Sequence, residues 1–90
     1  MKLKEKEFEE IIQDLKALAQ QLGAEVRFEK GDFKGGYCLL KESKIIVINK
    51  LMNLQRKVMI LSAALKELGV DQIYLNPRMR EIIDEMAEMK

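Results

Sequence analysis

Between Gly31 and Leu68 the chain carries a glycine-bracketed turn, two short strands apolar on both faces, and a helix apolar around most of its circumference. This run constrains the fold more than any other. Residues 37–41 and 44–48 read as the strands, with Glu42 and Ser43 between them. Tyr37 and Leu39 oppose Cys38 and Leu40, and Ile45 and Val47 oppose Ile46 and Ile48. Strands of this kind need cover on both sides. In the helix, Leu54, Val58, Leu61, Leu65 and Leu68 recur at steps of four and three, and Met59, Ile60, Ala63 and Ala64 widen the stripe. Such a helix belongs at the centre of a core.

The flanking segments change period in a readable way. Phe8, Ile11, Ile12, Leu15, Leu18, Ala19 and Leu22 predict an amphipathic helix over residues 5–22, ended by Gly23. Ala24, Val26 and Phe28 then alternate with Glu25, Arg27 and Glu29, which predicts a strand with one wet face. After Gly69, residues 72–75 read as a short fourth strand or an extended connector. Asn76-Pro77 supplies an N-cap followed by the one proline position a helix welcomes. Met79, Ile82, Ile83 and Met86 mark the buried stripe of the last helix. The expected architecture is α+β, in the order α-β-β-β-α-(β)-α. Its sheet is a small antiparallel meander of three strands, or four if residues 72–75 join, packed by three helices.

Ninety residues with 48% hydrophobic content make a single domain over residues 1–90. A chain this short buries only about 60–65% of its unfolded surface, so a partner would add much to its stability. No stretch approaches the roughly 20 apolar residues of a membrane span. The first ten residues alternate charges, unlike a signal peptide. One cysteine and no histidine rule out a disulfide framework, histidine acid–base catalysis and a structural zinc site. The glycines at 31, 35 and 36 have the wrong spacing for a phosphate loop. Cys38, mid-strand between Tyr37 and Leu39, reads as an inert core thiol. These features predict a cytoplasmic protein without cofactor or metal.

Charge is unevenly distributed. Residues 30–57 carry seven basic side chains against two acidic ones, whereas each flanking third is net negative. Lys34, Lys50, Arg56 and Lys57 in this band are the candidate contacts for phosphate, RNA or an acidic protein patch. Arg78 and Arg80 join them because cations in the first turn of a helix oppose its dipole and call for an anion. Pairing of Arg80 with Asp84, or of these arginines with another chain's carboxylates, is the simpler expectation. The alternative for the whole band is solubility and protection of strand edges.

The strand Gly35-Gly36-Tyr37-Cys38, the strand end Ile46-Val47-Ile48-Asn49-Lys50, the apolar helix after it and Ile73-Tyr74-Leu75-Asn76-Pro77-Arg78-Met79-Arg80 together resemble a group of short uncharacterised bacterial proteins. The likeness covers residues 31–83 and implies a bacterial origin with no assigned activity. More remotely, residues 45–49 and 56–68 resemble the sheet and active-site helix of small zinc peptidases that cleave phage and stress repressors. That family's His-Glu-x-x-His falls on Ala64, Leu65 and Leu68, so the resemblance implies a fold without its metal site. The expectation is a non-enzymatic interaction or assembly protein acting as a homodimer. The alternative is a binding module for RNA or another anionic ligand.

Overall fold

A computed structural model describes residues 3–33, 35–40 and 42–89. In chain order the elements are α1 (Glu5–Gln21), β1 (Ala24–Glu29), β2 (Gly35–Leu40), β3 (Ser43–Asn49), α2 (Leu54–Leu68), a 3-10 turn (Val70–Gln72) and α3 (Pro77–Glu88). The fold is α+β, with the element order anticipated from the sequence. Local chemistry sets the boundaries. The Asn53 side chain caps α2 by accepting from the Arg56 amide at 2.8 Å, and Asn76 caps α3 by accepting from the Met79 amide at 2.8 Å. Gly69 ends α2 at φ 101°, a left-handed conformation that costs glycine little.

The sheet is mixed, not an antiparallel meander. Its order is β1-β3-β2, with β1 parallel and β2 antiparallel to β3. β3 takes the centre because it is the most thoroughly apolar strand, with Ile45, Ile46 and Ile48 all buried. β1, with its charged face, takes an edge, where solvent reaches it. The chain therefore leaves β1, passes over the C-terminal end of β3 and enters β2 on the far side. Asn49, the last residue of β3, holds that crossing. Its amide nitrogen donates to the carbonyls of Gly31 and Phe33, each at 2.8 Å, and its oxygen accepts from the Leu51 amide at 3.0 Å. Gly35 opens β2 at φ 117°, where a β-carbon would lie 2.2 Å from the Val47 carbonyl oxygen. No other residue fits there.

One face of the sheet meets all the helical cover. Val26, Phe28, Ile46, Ile48 and Tyr37 share a side in the register and join one core with Ile11, Ile12 and Leu15 of α1 and Val58, Leu61 and Leu65 of α2. α3 packs on α2 and adds Met79, Ile82, Ile83 and Met86. The methionines at 79 and 86 are thus core residues, while Met89 is half exposed. α1 lies on the same face as α2, so it does not close the other side.

Of the two readings of residues 72–75, strand or extended connector, the connector is the one found. The link from α2 to α3 begins with the 3-10 turn, whose Val70 is fully buried, and runs on without a strand to Asn76. Those few residues are spent joining two packed helix ends and cannot return to a sheet edge. Cys38 is exposed, not a core thiol. It projects from an edge strand onto the face that no described helix covers. None of the described helices is long and apolar enough to cross a membrane.

Candidate functional site

Among the described residues, the candidate cations do not all gather at one place. Lys34 lies outside the described residues. Arg56 is exposed on the first turn of α2. Arg78 faces Glu7 at 3.7 Å, and Arg80 bonds Asp71 at 3.0 Å instead of Asp84. Asp84 pairs with Lys66, which also reaches Asp71 at 3.3 Å. The expected intrahelical pair gives way because the 3-10 turn presents Asp71 to Arg80 while Lys66 on α2 claims Asp84. This four-residue network ties α2, the turn and α3. Its hydrogen bond from Arg80, then that from Lys66, holds the Asp71 carboxyl below its usual 3.8. The bond to Asp84, then that to Asp71, holds the Lys66 ammonium above its usual 10.5.

Lys50 and Lys57, by contrast, come together. With Lys16 of α1 they line a groove of about 390 Å³ whose wall includes Phe28, Ile12 and Leu54. Lys50 follows β3, Lys57 stands in the first turn of α2, and the Lys16 ammonium lies 5.5 Å from the centre of the Phe28 ring. Among the described residues, none of these three lysines is in an ion pair. Lys16 and Phe28 were not legible as site residues. Their own segments read as a solvated helix face and a strand end, and only the packing of α1 on β1 joins them to residues 50 and 57.

A second surface is the face of the sheet on which no described helix packs. Reading across the ladder, Glu25, Ile45 and Cys38 form one row, and Arg27, Val47 and Gly36 the next. Ile45 is only 7% exposed, Val47 is half-buried and Cys38 is exposed. Glu25 and Arg27 bond to each other at 2.8 Å along the rim. The face is thus apolar along β3, with acid, base and acid (Glu25, Arg27, Glu29) down its β1 side. The chain matches no family model, no curated protein and no solved structure.

Proposed function

We propose that this is a non-enzymatic association protein whose working form is a homodimer closed through the sheet face on which no described helix packs. The observation that carries the reading is the one-sided cover of β3. Both faces of that strand bear branched apolar residues, yet all described helices meet only one of them. A second copy suits the other face because its charge pattern complements itself. Two copies of β1 stacked antiparallel across a two-fold axis can place Arg27 of each against Glu25 of the other, as an isologous interface requires.

The area sets the strength. Three strands about 4.8 Å apart and about 20 Å long offer at most roughly 300 Å² per copy. Less is on offer here because Ile45 is already buried within the chain, so the face falls well below the ~800 Å² of a standard interface. The dimer is therefore expected to be weak, dissociating at micromolar concentrations. A cytoplasmic site of action belongs to the same proposal, since Cys38 is an exposed free thiol that a reducing compartment keeps unoxidised.

Sedimentation equilibrium at rising concentration tests this reading. The mass should move from 10.5 kDa towards twice that value. Val47→Lys should hold the protein monomeric while it stays folded, because it sets a charge from each copy against the apolar Ile45 of the other. A wild type that remains monomeric at millimolar concentration overturns the homodimer.

A further inference from the structure

The lysine-lined groove is independent of that face. Lys16, Lys50 and Lys57 reach it from three separate elements, and Glu9 is its one acidic lining residue. Among the other described cations, Arg27, Lys66, Arg78 and Arg80 sit beside carboxylates, while Lys4, Lys6, Lys30, Lys44 and Arg56 are in no ion pair but do not line this groove. An excess of positive charge in a concave site concentrates the field and attracts anions. The first turn of α2, which supplies Leu54 and Lys57, adds the positive end of a helix dipole. The wall is not polar, however. Ile12 is buried, Leu54 is half-buried, and Phe28 presents a half-buried ring. A bare inorganic anion would leave that apolar wall unused.

We infer that the groove binds a nucleotide-sized ligand, its phosphate held by Lys50 and Lys57 and its planar base laid against Phe28. A volume of about 390 Å³ falls in the range of small-molecule pockets. Stacking on an aromatic ring tolerates any base, because each has a flat face. Lys16 now occupies one face of the Phe28 ring. A cation over a ring at a wet site is held weakly, whereas a phosphate offers charge-assisted hydrogen bonds. A bound phosphate therefore draws Lys16 off the ring and clears the surface on which the base lies.

The experiment is an amide NMR titration of the full chain with AMP, run in parallel with inorganic phosphate and adenosine. AMP should shift the amides of Lys16, Phe28, Lys50, Leu54 and Lys57, and bind more tightly than either fragment. Lys50→Gln and Lys57→Gln should each weaken AMP by roughly three- to tenfold, as expected for partly solvated phosphate contacts. Phe28→Leu should abolish the preference for AMP over inorganic phosphate. Equal midpoints for AMP and phosphate in the wild type overturn the nucleotide assignment. So do shifts scattered over all the surface lysines. Binding of an oligoribonucleotide without binding of AMP overturns the pocket in favour of an extended RNA surface. Should Phe28→Leu fail to fold, the double variant Lys50→Gln, Lys57→Gln decides, and unchanged AMP affinity in it refutes the site.

Discussion

Two residues show what single side chains contribute. Leu61 is fully buried between the helices and the sheet. Leu61→Ala should cost about 2–5 kcal/mol in urea unfolding, from lost transfer energy and the cavity left behind. A loss under about 1 kcal/mol would show that its surroundings collapse without penalty. Asn49 matters differently. Its amide nitrogen is the shared donor for the Gly31 and Phe33 carbonyls, so Asn49→Ala strands both and frees the crossing. We expect a loss of about 1–3 kcal/mol, the usual cost of unmaking part-buried hydrogen bonds. Stability equal to wild type would mean that water replaces the amide at no cost. Leu61 was legible from the step of three after Val58 and the step of four before Leu65. Asn49 read only as the polar end of a strand, because its partners sit sixteen and eighteen residues earlier and arrive there only once the chain has crossed.

Among the elements, the start of α3 and the end of α2 were legible because each is set by a neighbour in sequence, Asn76 and Gly69. The Asn53 cap that fixes the start of α2 was not read. The strand order was not legible. A strand's pattern states which face is apolar but not which strand lies beside it, and β1 pairs with β3 across twenty residues, from Ala24 to Lys44. The ion network behaves as a joint between elements and yields a pH prediction. Asp71 is held below its usual 3.8, so its contribution is complete above that pH and fades as pH falls through the lowered value. Lys66 is held above 10.5, so its contribution is complete below that pH and fades only as pH rises through the raised value. Both side chains are substantially exposed, and salt screens them. Asp71→Asn should therefore lower the urea midpoint slightly at pH 7 and low salt, with the difference shrinking as pH falls below 3.8. A difference that does not shrink at all on acidification would assign the effect to packing instead.

For the whole molecule, a chain of 90 residues with one sheet face that no described helix covers should gain from mass action. Its melting temperature should rise with protein concentration, because a dimer stabilises the native state in proportion to its occupancy. A melt unchanged over a hundredfold range of concentration would count against self-association. That strands two and three want cover on both sides was legible from Ile45 to Ile48. That α1 would share a face with α2 was not, because the sequence pattern of α1 shows one apolar stripe without saying where it docks. The central position of β3 also bears on how the chain is made. On the ribosome, β1 and β2 emerge first, and neither is the other's neighbour. Both must wait, unpaired, until Asn49 has cleared the exit tunnel. Synthesis thus leaves β1 without a mate for the time it takes to add twenty residues, about one to four seconds at ordinary elongation rates, and β2 for about half that time. In that interval the nascent chain is open to chaperones and to its own siblings on the same message.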